Sequence, residues 1–177
     1  MEKIIVDVDN TLWDLAPVLY ERMREVSPDL PPAAQWREWD FWRSYIKPQA
    51  IYSILDAIHM EQERFRPFDD AGEFLSGLKE MGFSIIVASH RRQEALDPAE
   101  RWLRMNGLVY DEIHLSYDKT VLFHDCWGVV DGSPETLNKA RDAGIVRAGL
   151  RNPWNEAEDH PLFENLGQIT EYLKKQI

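Results

Sequence analysis

The chain has 177 residues, enough for one domain or for one domain that carries an insertion. Hydrophobic residues make up 44% of it and aromatic residues 11%, which is sufficient for a real core. The formal net charge of -11 argues against a surface for a nucleic-acid duplex, because such a surface needs basic patches. A small anionic ligand is not excluded, since a metal ion and a few local cations can outweigh the distant field.

The cysteine content and the N-terminal residues bear on location. Cys126 is the single cysteine and cannot form an internal disulfide. The N-terminal apolar run is too short for the core of a signal peptide and far too short to span a bilayer. These features predict a cytoplasmic protein without a membrane partner. The sequence does not determine the oligomeric state, and a homodimer is compatible with it.

A β-branched run opens the chain and stops abruptly at polar residues. The run from Lys3 to Val6 is typical of a buried strand, and Asp7-Val8-Asp9-Asn10-Thr11 follows it. Ligands of open α/β sheets bind outside the carboxyl ends of the strands, which is where Asp7 and Asp9 are expected. Two acids one residue apart repel each other unless a cation or a shared proton compensates, and a divalent metal is the simplest compensation. A polar turn is the alternative interpretation of this stretch alone.

Residues from about 15 to 68 are predicted to be helical, without a convincing strand. Pro17 suits the first turn of a helix that runs to about Glu25, and a second helix is expected from about Pro48 to Phe65. We expect residues 15–68 to form a small helical cap, inserted after the first strand and lying over its end. The cap has a dense aromatic patch, expected to be mostly its own core although such rings can also stack on a base: Trp36, Trp39, Phe41, Trp42 and Tyr45.

Regular alternation of strands and helices is predicted from residue 69 onwards. Asp70 and Glu73 resemble a capping box at the start of a helix that Gly82 ends. Later strands are expected at 83–88, 112–115, 127–130 and 145–148, and later helices at 98–106, 134–143 and 169–175. This spacing predicts an α/β fold with a parallel sheet and helices on both faces. Residues 1–14 and 69–177 would form the catalytic core.

Polar residues lie at or just beyond the ends of the predicted strands: Asp7, Asp9, Ser89, Lys119 and Asp131. Because the ends of parallel strands face one way, these groups can converge in one crevice. A carboxylate can attack phosphorus, a second can move protons, a hydroxyl and an ammonium can hold phosphate oxygens, and a further acid can help bind a metal. Taken singly, Ser89 and Asp131 could be helix caps and Lys119 a solvated charge.

These residues, in this order, carry a resemblance to a known family. The series Asp7-Val8-Asp9-Asn10-Thr11, Ser89, Lys119 and Val129-Val130-Asp131 resembles the four motifs of the haloacid dehalogenase-like hydrolase superfamily. The resemblance implies a Rossmann-like sheet, Mg2+ as cofactor, and hydrolysis of a small anionic phosphate ester through an aspartyl-phosphate. It implies that Asp7 is the nucleophile and Asp9 the general acid/base. It also implies that Ser89 and Lys119 hold the phosphoryl group, while Asp7, the backbone carbonyl of Asp9 and Asp131 bind the metal.

A narrower resemblance is to the 5′(3′)-deoxyribonucleotidase branch. It rests on Asp118-Lys119-Thr120-Val121, on the short path to Asp131, on Arg151-Asn152-Pro153-Trp154-Asn155 and on the helical cap. It implies a nucleoside or deoxynucleoside monophosphate as substrate. The sequence departs from the pattern at Gly132, where many relatives have a second acid; a water or Asp125 could take that role.

Neighbours of the motifs provide further candidates. Asn10, His90 and Arg91 are candidates for contacts with the phosphate, Arg91 through a bidentate fork. His124 and Cys126 lack the ligand spacing of a structural zinc site.

Other functions stay open at this stage. The enzyme could act on another small phosphate ester or on a polynucleotide 3′-end, although the acidic charge disfavours polymers. A dehalogenase is disfavoured by Asp9, because that chemistry needs no proton donor to an ester oxygen. A non-catalytic binding module is disfavoured by the intact motifs and kept open by Gly132.

Overall fold

Six parallel strands form the centre of the computed structural model, which describes residues 1–177. In chain order the strands are β1 (Lys3–Val6), β2 (Ser84–Ser89), β3 (Glu112–Leu115), β4 (Cys126–Val130), β5 (Val146–Leu150) and β6 (Leu162–Phe163). Their spatial order is β3-β2-β1-β4-β5-β6, and every neighbouring pair is parallel. The carboxyl end of β1 is therefore flanked by the carboxyl ends of β2 and β4.

Helices cover both faces of this sheet, as the sequence predicts. They are α1 (Leu15–Val26), α2 (Pro48–Met60), α3 (Ala71–Glu80), α4 (Leu96–Met105), α5 (Pro134–Asp142) and α6 (Leu166–Lys174). Side chains alternate along β1, so Ile4 and Val6 share a buried cluster with α3, α4 and α6, while Ile5 shares another with α5. None of the helices combines the length and the apolar character needed to cross a membrane.

The segment between β1 and α3 is built from helices, namely α1, α2 and three short 3-10 turns at Ala33–Gln35, Phe41–Ser44 and Gln62–Arg64. The second helix ends at Met60, earlier than expected. A buried cluster of the segment's own, which includes Met23, Trp36 and Ile51, also takes in Trp154 from beyond β5. The helical cap thus packs around its own apolar centre and contacts the sheet domain through Trp154.

The structure corrects two local expectations. Asp70 precedes α3, but its side chain makes no capping hydrogen bond to that helix. Its Oδ2 instead accepts hydrogen bonds from the backbone N–H groups of Leu166 (3.0 Å) and Gly167 (3.4 Å), so Asp70 stabilises the start of α6. Strand β6 has two residues and was not expected. The predicted glycine at the end of α3 is confirmed, since Gly82 has a φ of 89° that a side chain would strain.

Candidate active site

The predicted strand-end residues meet at the carboxyl edge of the sheet. Asp7 directly follows β1, Ser89 ends β2, and Asp131 directly follows β4. Lys119 reaches the same place from the 3-10 segment that precedes β4, and Asp9 reaches it from the loop after β1. The topology therefore brings together residues that are up to 124 positions apart in the chain.

Lys119 bridges two buried carboxylates. Its Nζ lies 2.5 Å from Asp7 Oδ1 and 2.8 Å from Asp131 Oδ2. Burial and the neighbouring Asp131 raise the pKa of Asp7 to about 7, against the lowering effect of Lys119. Burial by itself would lower the pKa of Lys119, but the two carboxylates raise it, so the ammonium stays charged. One cation thus faces two acids in a desolvated site, and negative charge is left in excess.

The donors at this place fit a hard divalent cation. Mg2+ takes oxygen ligands, commonly one or two carboxylates together with waters. Asp7 and Asp131 supply two carboxylates, and the backbone carbonyl of Asp9 is the third predicted oxygen. No cluster of three acidic, histidine or cysteine side chains has metal-binding geometry, so a cation here would depend on backbone oxygen and water for its remaining ligands.

Gly132 stands where a second acid after Asp131 was expected, and the positions of Asp125 and Gly132 show whether another group could take that role. Asp125 cannot replace it, because Asp125 lies at the amino end of β4, opposite the site, and pairs there with His124 at 3.3 Å. Gly132 is beside the site, and its carbonyl accepts hydrogen bonds from Trp154 Nε1 (3.3 Å) and Asn155 Nδ2 (3.1 Å). A Cβ at Gly132 would meet its nearest atom, a backbone oxygen, at 3.5 Å, which is ordinary contact. The position therefore has room for a side chain.

Asp9 is held by four side chains. Its Oδ1 accepts hydrogen bonds from Trp13 Nε1 (2.9 Å) and Arg91 Nη2 (2.8 Å). Its Oδ2 accepts from His59 Nε2 (2.9 Å) and Ser89 Oγ (3.4 Å). Burial by itself would raise the pKa of Asp9, but Arg91 and then His59 outweigh burial and hold the pKa well below its usual range. Asp9 is therefore a carboxylate in this arrangement, which is the form that accepts a proton.

Arg91 binds Asp9, whereas the sequence analysis made it a candidate for contact with the phosphate. Besides Asp9, its guanidinium contacts Ser89 Oγ through Nε (2.8 Å) and Gln62 Oε1 through Nη1 (3.0 Å). The group is completely buried and each of its three nitrogens has a protein partner. Ser89 is likewise completely buried, with its hydroxyl between Arg91 and Asp9. In the observed arrangement both side chains bond Asp9 and each other, and their contact with a phosphate stays a prediction.

Asn10 and His90 lie on the wall of the cavity above Asp7. Asn10 has a φ of 58°, in the left-handed region, and its Oδ1 accepts a hydrogen bond from the backbone N–H of Ala16 (3.0 Å) at the start of α1. Burial, followed by the charge of Lys119, lowers the pKa of His90. Asn10 thus shapes the turn from β1 into the cap, and His90 is a neutral polar group beside the site at neutral pH.

A cavity of about 530 Å3 opens onto Asp7, Lys119 and Asp131. This volume lies in the range of small-molecule sites. Aromatic side chains of the cap line the same cavity: Trp36, Trp39, Phe41, Trp42 and Tyr52. The sheet therefore supplies a polar floor and the cap an aromatic wall.

Three residues of the site were not identified from the sequence. His59 and Gln62 come from the cap, and Trp154 comes from the segment after β5. A signal for His59 existed, because it lies four residues after Leu55 and so continues the apolar stripe of α2 as a lone polar residue. Gln62 carried no such signal. Trp154 belongs to the stretch 151–155 noted for the narrower resemblance, but its contact with the cap could not be read from it.

Comparison with known proteins identifies the fold. No protein-family model and no curated protein matches the chain. Among solved structures, a candidate β-phosphoglucomutase from Thermotoga maritima matches with a TM-score of 0.65 and 17% identity over 100% of both chains. A HAD-superfamily hydrolase from Ehrlichia chaffeensis matches with a TM-score of 0.58 and 18% identity over 99% of this chain and 98% of that one. A D,D-heptose 1,7-bisphosphate phosphatase from B. bronchiseptica, in complex with magnesium and phosphate, has a TM-score of 0.57 and 13% identity over 100% of both chains. The chain thus has the Rossmann-like α/β fold found in hydrolases of the haloacid dehalogenase superfamily.

Proposed function

We propose that the protein is a Mg2+-dependent phosphomonoesterase that works through an aspartyl-phosphate on Asp7. The observation that carries the proposal is the buried bridge Asp7–Lys119–Asp131 at the carboxyl end of the middle strand, opening into a cavity. The magnesium and phosphate in the solved heptose bisphosphate phosphatase support the same chemistry for this fold.

In the first step, a carboxylate oxygen of Asp7 bonds to phosphorus while the bond from phosphorus to the ester oxygen breaks. The departing oxygen takes up a proton from Asp9, which is a carboxylate in the observed arrangement and must therefore carry a proton when the ester is bound. Lys119, which is charged and beside Asp7, offsets the negative charge that develops on the phosphoryl oxygens. Asp7, Asp131 and the backbone carbonyl of Asp9 would hold Mg2+, which would supply further positive charge for the same oxygens.

In the second step, water hydrolyses the aspartyl-phosphate. The Asp9 carboxylate takes a proton from the water, the water oxygen bonds to phosphorus, and the bond from Asp7 to phosphorus breaks. The observed surroundings of Asp9 suit this step, because Arg91 and His59 favour the ionised form that accepts a proton. The proton taken up here is the one that Asp9 returns to the next leaving group.

We further propose that the substrate is a nucleoside or deoxynucleoside monophosphate. Trp39, with 42% exposure, and Trp42 line the same cavity as the carboxylates, and such rings can stack on a base. Stacking of this kind contributes roughly 1–3 kcal/mol per base.

A phosphatase for another small phosphate ester is the second candidate. The cavity wall also carries Arg43, bonded to Asp40, and Lys139, bonded to Glu135. These charged pairs suit a hydroxyl-rich leaving group such as a sugar as well as they suit a nucleoside.

A panel of nucleoside monophosphates and sugar phosphates, assayed for phosphate release with and without Mg2+, tests both the proposed phosphatase activity and the proposed substrate class. We expect release that requires Mg2+ and favours nucleotides. Absence of release from every compound would overturn the phosphatase. Release from sugar phosphates alone would overturn only the substrate class.

A further inference from the structure

The Asp9 carboxylate is the point at which the helical cap contacts the proposed catalytic residues. His59, in the last turn of α2, places Nε2 at 2.9 Å from Asp9 Oδ2. Gln62, just beyond α2, accepts a hydrogen bond from Arg91, which in turn binds Asp9 Oδ1. Two cap residues thus reach Asp9, one directly and one through Arg91.

The side chains around Asp9 are almost inaccessible to solvent, although Asp9 and His59 reach the wall of the cavity. His59 is 3% exposed, Gln62 0% and Arg91 1%. Ile58, next to His59, belongs to the large buried cluster that includes Ile4 and Val6 of β1, so the end of α2 is fixed against the sheet. Hydrogen bonds to a carboxylate are strong in such desolvated surroundings and hold its orientation.

The imidazole of His59 makes one hydrogen bond in the protein, and that bond is to Asp9. Its second nitrogen, Nδ1, is buried without a partner. A ring needed only for packing would be matched at lower cost by an apolar side chain, because an unpaired buried nitrogen is unfavourable. The contact with Asp9 is therefore the feature that accounts for a histidine at this position.

We propose that His59 is a positioning residue for the reaction, which fixes the Asp9 carboxylate in the orientation required for proton transfer, so that the cap supplies part of the catalytic apparatus. The inference rests on the proposed phosphatase function. Without His59, Oδ1 of Asp9 would keep its bonds from Trp13 and Arg91, but Oδ2 would retain only the 3.4 Å contact with Ser89, so the carboxylate would be held less tightly about its terminal bond. The proton would then be transferred from fewer productive orientations.

The test compares His59→Gln with His59→Leu. The glutamine side-chain amide can place an N–H close to the position of Nε2, whereas leucine fills space without a donor. The substrate is p-nitrophenyl phosphate in Mg2+, whose acidic phenol leaves without protonation, so that only hydrolysis of the intermediate needs Asp9. We measure the burst of phenol in the first turnover, the later steady rate, and KM.

We expect His59→Leu to retain the burst and kcat/KM while the steady rate falls about 10²-fold, the lower end of general acid–base effects, and KM falls with it because the intermediate accumulates. His59→Gln should recover most of that loss. An unchanged steady rate in His59→Leu, an equal loss in burst and steady rate, or an equal loss in both variants would overturn the positioning role. A wild-type protein that hydrolyses no phosphate ester would instead overturn the phosphatase proposal itself.

Arg91→Lys tests the same role if thermal unfolding shows that His59→Leu does not fold. Lysine keeps the positive charge but cannot bond Ser89, Gln62 and Asp9 together. As for His59→Leu, we expect the burst of phenol to be retained and the later steady rate to be reduced. A folded Arg91→Lys protein with wild-type burst and steady rate would show that Asp9 needs no positioning by this cluster.

Discussion

Two aspartates only two positions apart have opposite electrostatic surroundings. Asp7 shares a desolvated place with Asp131, and burial together with this neighbour raises its pKa to about 7. Asp9 faces Arg91 and His59, which hold its pKa well below the usual range despite its burial. Titratable groups whose pKa values are driven apart often divide acid, base and nucleophile roles between them. The assignment of Asp7 as the group that bonds to phosphorus rests on its position beside Lys119 at the cavity, while the cations around Asp9 suit a group that accepts a proton.

Asp7→Asn should abolish phosphate release, because an amide is far too weak a nucleophile. The protein should still fold, since the asparagine oxygen can accept the hydrogen bond from Lys119 that Asp7 accepts now. Phosphate release and thermal unfolding are the two measurements. Near-normal turnover by a folded variant would contradict the mechanism.

Asp9→Asn should leave residual activity, because the nucleophile and the backbone carbonyl at position 9 remain. Loss of general acid–base help is typically about 10²–10⁴ in rate. With p-nitrophenyl phosphate we expect one turnover's burst of phenol and then a slow steady rate, since only the second step needs Asp9. With a nucleotide the first step should slow as well. Equal slowing of single-turnover phosphorylation for both leaving groups would show that Asp9 transfers no proton to the leaving oxygen.

Gly132→Asp should strengthen the binding of Mg2+. A Cβ at this position fits, with the backbone oxygen of Asn10 at 3.5 Å and Asn152 Nδ2 at 3.9 Å, so a carboxylate can be added beside the site. Groups that support metal ligands commonly change affinity about 10-fold or more. Titration calorimetry of Gly132→Asp against Gly132→Asn, which has the same size without the charge, measures the effect. Equal weakening in both variants would mean that any side chain at 132 obstructs the site.

At the scale of the elements, most of the fold followed from local patterns. Runs of Ile and Val predicted β1 and β2, and glycines at helix ends predicted where α3 and α5 stop. Strand β6 was missed because two residues cannot carry a periodic pattern. The capping of α6 by Asp70 was missed because it joins residues 96 positions apart, which no local pattern encodes.

The residues of the site likewise separate into those that the sequence could predict and those that it could not. The convergence of Asp7, Lys119 and Asp131 was predictable, because a parallel sheet forces its strand ends to one edge. The hydrogen bonds that hold Asp9 were not predictable, because His59 and Arg91 lie 50 and 82 positions away and the directions of their side chains depend on how the cap packs. Arg91 illustrates the limit: its position beside Ser89 was correctly noted, but its side chain turns to a carboxylate instead of the cavity.

Trp39→Ala should raise KM for a nucleotide more than KM for p-nitrophenyl phosphate. Trp39 is 42% exposed and lines the cavity, so removing the ring takes away a surface for the base without opening the core of the cap. Tyr45→Ala is the matched control, because Tyr45 has the same exposure but lies outside the cavity wall. Steady-state kinetics on both substrates give the comparison. An equal rise for both substrates, or the same effect from Tyr45→Ala, would remove Trp39 from base recognition.

Trp36 shows why the choice of ring matters. It is 3% exposed, stacks on Phe41 with ring centroids 4.1 Å apart, and donates its indole N–H to the carbonyl of Pro31. Although it contributes to the cavity wall, it belongs to the core of the cap. The expectation that the aromatic patch is mostly core therefore fits Trp36, while Trp39 has the exposure that recognition requires.

The whole molecule has a net charge of -11, and the repulsion between its carboxylates is strongest where two of them are buried together, at the carboxyl edge of the sheet. Asp7 and Asp131 are both nearly inaccessible to water, and Lys119 neutralises only one charge between them. Folding without a metal therefore forces like charges together, and binding of a divalent cation relieves that repulsion. The stability of the protein should depend on metal and pH together.

The free energy of unfolding of the metal-free protein should carry a pH dependence that comes from Asp7. Its pKa rises from an ordinary 3.8 to about 7 on folding, so the folded protein binds this proton more tightly than the unfolded chain does. The stabilisation that results is fully present below the unfolded pKa value and is lost as pH rises through about 7.

Asp7→Asn lacks this titration, so its stability relative to wild type should increase between about pH 4 and about pH 8 in denaturant unfolding with EDTA. Adding Mg2+ at the upper pH should reduce that difference, because the ion binds the ionised carboxylates of folded wild type and stabilises that state alone. A difference that stays constant across pH and does not respond to Mg2+ would show that Asp7 and Asp131 neither repel each other nor share a metal.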